Sequence, residues 1–308
     1  MHRSSARSVW IRSSATIALL LTTIGVPAGA GEIEVSVTNN APNGGVFLTP
    51  VWVGFHDGSF DSYNGGLSSQ PGLERIAEDG NPGPISSDFL GGYTYIDDSG
   101  VSPVSAKIMS SQSGAERVDG VVGGGPIGPG QTVTQNFMID AMSANQYLSY
   151  VSMVVPSNDY FVANGDPIAH DLSALHNAPI GTSITFNIGL PEQVNDAGTE
   201  VNFANISGPG DMEDDTVAAL GLLGPGYIGQ SAPDTGTDEG GVVQNVASPY
   251  MEAPSILSSH PELNFNDAMQ YGDGIATVTI TTVPEPSSLA LAGIALVGML
   301  TLRRRRTR

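Results

Sequence analysis

The chain has 308 residues, only 14% of them charged, and Gly (39) and Pro (21) together make up about a fifth of it. That balance disfavours long helices and favours short strands joined by turns, while an apolar fraction of 40% is enough for a buried core. The net charge of −20 is uneven: residues 31–282 hold three basic side chains against thirty acids, a net of −27 that repels nucleic acid, and with no cysteine anywhere disulfides and thiolate chemistry are excluded.

The first element in chain order is a targeting segment. Arg3, Arg7 and Arg12 precede the apolar run Ala15 to Val26, and Ala28-Gly29-Ala30 closes it. A basic region, a short apolar core and a small-x-small exit are the parts of a secretory signal, which assigns residues 1–30 to a signal peptide cut after Ala30. Secretion machinery and signal peptidase are the partners this implies. An uncleaved amphipathic start is the alternative.

Beyond it the signal is period two. Ile33, Val35 and Val37 alternate with polar residues, as do Val133, Phe137 and Ile139. Ile184, Phe186, Ile188 and Leu190 form the clearest run, and Ala276, Val278 and Ile280 the last. Such alternation reads as half-buried antiparallel strands, whereas the continuously apolar Tyr147 to Val155 reads as a central one. Several half-buried strands must pack as two sheets. The expectation over 31–282 is an all-β domain, an antiparallel β-sandwich of about eight strands. Helix is expected only after Pro71, where Leu73, Ile76 and Ala77 share a face, and at 217–223. Segments 112–130 and 205–250, rich in Gly, Pro and Asp, read as long loops.

At the end, Pro284-Glu285-Pro286 precedes the apolar stretch 289–302 and the cluster Arg303 to Arg306. The stretch is barely long enough to insert in a membrane, and the arginines would stop it on the cytoplasmic side. A plain C-terminal anchor would look similar. The triplet, short helix and basic cluster, in this order, resemble the PEP-CTERM sorting signal of Gram-negative bacteria. The resemblance implies an exosortase as a partner and transient membrane insertion through 289–302, with residues 283–308 as the sorting region. Both readings export residues 31–282.

Catalytic motifs are weak. Gly123, Gly125 and Gly128 spell G-x-G-x-x-G, but Pro126, Pro129 and Gly130 stop the helix that a dinucleotide site needs. His56-Asp57 and His170-Asp171 are adjacent, and strand neighbours point to opposite faces. Neither a G-x-S-x-G elbow nor an H-E-x-x-H helix occurs. The chain therefore reads as a non-enzyme.

Two acidic turns follow strands: Asp159 after Val155, and Asp196-Ala197-Gly198-Thr199-Glu200 after Leu190. Carboxylates at strand ends can share a hard cation with turn carbonyls. On spacing alone, solvated turn acids are the better account of them. Val155-Pro156-Ser157-Asn158-Asp159-Tyr160-Phe161-Val162 resembles the "PSPDWFVG" stretch of the spondin N-terminal domain, and residues 196–200 resemble its "DAGTD" motif, in the same order. Pro50-Val51-Trp52-Val53, His56-Asp57-Gly58 and Ala77-Glu78-Asp79-Gly80 are similar to the bacterial branch of that family. The resemblance implies a β-sandwich with calcium at one end, held by Asp159, Asp196 and Glu200. Asn158, Tyr160 and the lack of cysteine depart from the animal pattern.

Together these readings give an exported, calcium-stabilised surface or matrix protein that associates with exopolysaccharide or another envelope component. The alternatives are an envelope polysaccharide hydrolase with paired carboxylates and a purely structural coat subunit.

Overall fold

A computed structural model describes residues 30–97, 105–141, 143–155, 157, 159–200, 240–246 and 272–284. Its strands begin with β1 (Ala30–Asn39), β2 (Phe47–Leu48) and β3 (Val51–His56), followed by the helices α1 (Pro71–Asp79) and α2 (Gly83–Leu90). Next come β4 (Tyr93–Asp97), β5 (Ser105–Met109), β6 (Val118–Val122), β7 (Thr132–Asp140), β8 (Tyr147–Val155) and β9 (Tyr160–Ala163). The last strands are β10 (Ser183–Ile188), β11 (Val194–Asp196), β12 (Gln244–Asn245) and β13 (Ala276–Thr282).

The fold is an antiparallel β-sandwich. One sheet has the order β10-β13-β1-β7. The other runs β12-β11-β9-β8-β3-β6, with β2 also paired to β8. The alternating runs supply the first sheet: Val35, Val37, Val278 and Ile280 point inward and are fully buried or nearly so. Leu190 falls outside its expected strand, because β10 ends at Ile188 and Gly189 turns the chain at φ 69°.

β3 and β8 are buried along almost their whole length because they are covered on both faces. On the inner face Val53, Phe55, Leu148 and Val154 meet the four-stranded sheet. On the outer face Trp52 and Val151 meet Leu73, Ile76, Ile85 and Phe89 of the two helices. The expectation of one or two short helices in an otherwise all-β fold holds, and their packing as a layer on the outer face of this sheet is what the tertiary structure adds.

Helix α1 forms where the sequence places it. Pro71 sits in its first turn, and Gly80 ends it at φ 62°, with its N–H bonded to Ile76 O at 3.0 Å. A side chain at Gly80 would also strike Thr49, whose Cγ2 lies 2.5 Å from the Cβ position. Helix α2 is unexpected, since Gly83, Pro84, Ser86 and Ser87 are poor helix formers; burial of Ile85 and Phe89 holds it. The other expected helix, at 217–223, lies outside the described residues, as does most of the expected loop 205–250.

Segment 112–130 corrects a loop expectation. Val118–Val122 forms β6 because it completes the ladder of β3, with Val122 opposite Val51. The glycine triplet lies between β6 and β7 rather than between a strand and a helix. The described strands outnumber the expected eight because β2, β9, β11 and β12 have two to four residues each, too short to show alternation.

The topology also sets two poles. β1 begins beside the end of β7, with Ala30 opposite Asp140, and beside the end of β13, with Ile33 opposite Thr282. β8 starts at this pole, at Tyr147, and runs away from it for nine residues, about 27 Å. Asp159 therefore lies at the pole opposite Pro284.

Candidate functional site

The turn before β9 is built by Ser157, whose hydroxyl donates to Val154 O at 2.6 Å and accepts from Tyr160 N at 2.9 Å. It delivers Asp159 to the start of β9. β11 pairs with β9, Asp196 opposite Tyr160 and Val194 opposite Val162, so the chain leaving β11 folds directly over Asp159. The N–H of Ala197 bonds to Asp159 O at 3.1 Å.

Three donors then converge on a single oxygen. Asp159 Oδ2 accepts from Thr199 N at 3.0 Å, Thr199 Oγ1 at 3.3 Å and Glu200 N at 3.2 Å. Asp159 is fully buried, and its other oxygen, Oδ1, has no hydrogen-bond partner among the described residues. Burial pushes the Asp159 carboxyl up to about 7; the nearby charge of Asp196 adds to the rise, and the bonds from Glu200 and Thr199 oppose it. An acid with one satisfied and one orphaned oxygen, facing a second carboxylate, lacks positive charge.

Gly198 makes the loop possible. Asp196 Oδ1 accepts from Gly198 N at 2.7 Å, closing an Asx turn, and Gly198 takes φ 65°. A Cβ there would lie 2.6 Å from both N and O of Val242, while Gly241 N bonds to Gly198 O at 2.7 Å. The short segment before β12 therefore packs on the loop with no room for a side chain. Ser69 Oγ, just before α1, anchors the loop's other flank through Ala197 O at 2.8 Å.

The three expected ligands are thus unequally placed. Asp159 and Asp196 are neighbours. Glu200 is buried and enters through its N–H, and among the described residues no group of three or more His, Asp or Glu side chains is positioned to hold a metal ion. For Gly198 and Thr199 the sequence carries only the D-x-G-T spacing, which marks an Asx turn and says nothing of its target, and for the turn-building hydroxyl of Ser157 it carries no separate signal.

His56 and His170 are packed into the domain. His56 is fully buried; its Nδ1 accepts from Gly58 N at 3.0 Å, which leaves the proton on Nε2, 3.0 Å from Ser149 Oγ. His170 stacks on Phe186 with ring centroids 3.9 Å apart. Burial lowers the His56 imidazole to about 3 and that of His170 to about 4. His260 lies outside the described residues.

At the opposite pole a groove of about 210 Å³ lies between the start of β1 and the segment that follows β13, lined by Glu32, Ile139, His176, Ile180, Val283 and Pro284 among others. Pro284 follows β13 by two residues. Ala28, Glu285, Pro286 and the apolar stretch 289–302 lie outside the described residues. Among the described residues no helix is long and apolar enough to cross a membrane.

The PEP-CTERM protein-sorting motif family matches residues 282–306. No curated protein matches the chain at a significant level. The motif marks an exported protein that an exosortase sorts to the envelope through its C-terminal region.

Proposed function

We propose that residues 31–282 are a spondin-type, calcium-stabilised binding domain without enzymatic activity, which the sorting region delivers to the cell surface or its matrix. The observation that carries this reading is Asp159: fully buried, with one oxygen that has no partner among the described residues and with Asp196 beside it. A divalent cation would bind Asp159 Oδ1 and the Asp196 carboxylate, with turn carbonyls adding oxygens, and Glu200 is the third candidate acid. Its chemistry would be charge neutralisation and loop ordering in a domain of net charge −27. The spondin resemblance supports the reading because its two motifs, 40 residues apart, meet at one point. The site lies at the pole away from Pro284, so loops there would face outward from an envelope anchor. Exopolysaccharide or another envelope component is the proposed partner.

The polysaccharide-hydrolase alternative needs a pair of carboxylates across a sugar-sized cleft, and sugar release from native polysaccharide would favour it over the binding reading.

The test is calorimetric melting of the full chain in calcium and in excess chelator. At a hundredfold excess over Kd, bound calcium adds about 2.7 kcal/mol, a rise of several degrees for a domain of this size. Asp159→Asn is expected to abolish the rise, and in chelator at neutral pH to melt no lower than the wild type, since it lacks the buried ionisable carboxyl. Superimposable wild-type melts in the two conditions would reduce these acids to ordinary loop carboxylates.

A further inference from the structure

We propose that the outward face of the four-stranded sheet is a binding surface for an uncharged polysaccharide. The proposal rests on the envelope-glycan reading above and gives it a location and a ligand class.

Strand register places the outward side chains in three rows of four. The middle row is Thr185, Thr279, Ser36 and Thr134 on β10, β13, β1 and β7. One flanking row is Asn187, Thr277, Thr38 and Thr132. The other is Ser183, Thr281, Glu34 and Asn136. Glu34 alone in these rows is charged, and the rest are hydroxyls or amides. The outer strands leave Thr132, Thr134, Thr185 and Asn187 exposed. Neighbouring strands are about 4.8 Å apart and alternate residues about 6.8 Å, so the grid covers roughly 14 Å by 14 Å.

The groups are also held in place. Thr38 and Thr132 hydroxyls lie 2.8 Å apart, Ser183 and Thr281 2.9 Å, and Thr185 and Thr279 3.1 Å. Thr277 Oγ1 donates to Asn187 Oδ1 at 3.0 Å. Each hydroxyl keeps further hydrogen-bonding capacity toward solvent, and its rotamer is already fixed, which lowers the entropy lost on binding.

Chemistry narrows the partner. The three cations of residues 31–282 are engaged elsewhere: Arg75 with Glu78 and Asp79, Lys107 with Asp88, and Arg117 with the carbonyls of Phe89 and Tyr93. The face therefore has nothing to pair with sulfate, uronate or phosphate, and the surrounding charge of −27 repels them. It lacks the aromatic centre of a protein-docking surface. A neutral polyol, which both donates and accepts hydrogen bonds at short intervals, is the complement that remains.

The test is affinity electrophoresis of the full chain in a non-sugar detergent, through native gels containing dextran, a neutral β-glucan or a galactomannan, with alginate as the acidic comparison. Retardation by at least one neutral polymer and none by alginate is expected. The double variant Thr185→Val/Thr279→Val keeps β-branching and should melt like wild type, yet bind about tenfold more weakly, two hydroxyls each worth a few-fold. Equal retardation of wild type and variant would overturn this surface while leaving the envelope-glycan reading intact. Retardation by alginate alone would overturn the uncharged class. No retardation by any polymer would remove both the surface and the glycan partner.

Discussion

Thr199 donates twice to one oxygen of Asp159, through its backbone N–H at 3.0 Å and its hydroxyl at 3.3 Å, and among the described residues nothing donates to the other oxygen. This asymmetry lets burial outweigh three hydrogen bonds and leaves the carboxyl with a strong tendency to keep its proton. Such a site responds both to pH and to a cation, and the two responses have opposite signs.

In chelator, the folded Asp159 carboxyl titrates at about 7, against about 3.9 unfolded. Between those values the folded state holds a proton that the unfolded state has lost. Stability from this group is therefore greatest below about pH 4 and declines as pH rises through 7, by roughly 1.4 kcal/mol per unit. Asp159→Asn lacks the term, so the wild type should gain on the variant as pH falls from 7 to 4.5 in urea titrations. Saturating calcium should flatten that difference, since a bound cation holds the carboxylate ionised. Parallel wild-type and variant profiles in chelator would show that Asp159 is ionised in the folded protein.

His56 and His170 act in the other direction. Their folded values of about 3 and about 4 lie below the unfolded 6.5, so their contribution is complete above pH 6.5 and is lost as pH falls. The His56 ring should show the neutral form with its proton on Nε2 in nitrogen NMR, unchanged from pH 8 to pH 5. An imidazolium signal for His56 at pH 5 would contradict the geometry.

Gly198→Ala should cost more than about 2 kcal/mol in denaturant titrations. A left-handed non-glycine residue costs roughly 1–2 kcal/mol, and the new methyl must also displace the Val242 backbone, 2.6 Å away. Gly124→Ala, with nothing within 4 Å of its Cβ position, is the matched comparison and should be nearly neutral.

Arg117 spans the junction of helix and sheet. It donates to Phe89 O at 2.9 Å and Tyr93 O at 2.7 Å, and its guanidinium lies 4.9 Å from the centroid of the Phe89 ring. Lysine carries the same charge but has no planar fork to reach both carbonyls. Arg117→Lys should lose about 1.5–3 kcal/mol and loosen the helical layer, read as faster amide exchange in α2.

The local parts of this molecule are legible because their causes are local. Period-two runs at 33–37, 184–188 and 276–280 mark strands since each side chain's face depends only on its neighbours along the chain. Pro71 and Gly80 bracket α1 for the same reason, and the order of triplet, apolar stretch and arginines identifies the sorting end. The acids of the site were visible in their motifs, Asp159 and Asp196 among them. What pairs with what was not. Val118–Val122 is a strand because β3 offers it an edge, and α2 is a helix because Trp52 and Phe60 cover Phe89. Which oxygen of Asp159 stays unpaired depends on a loop 40 residues away. The hydroxyl grid depends on Ser183 meeting Thr281 and Thr38 meeting Thr132, across 98 and 94 residues. The sequence determined which side chains face together within each strand; only the tertiary structure decided which strands became neighbours, because register is set by contacts that leave no periodic trace along the chain.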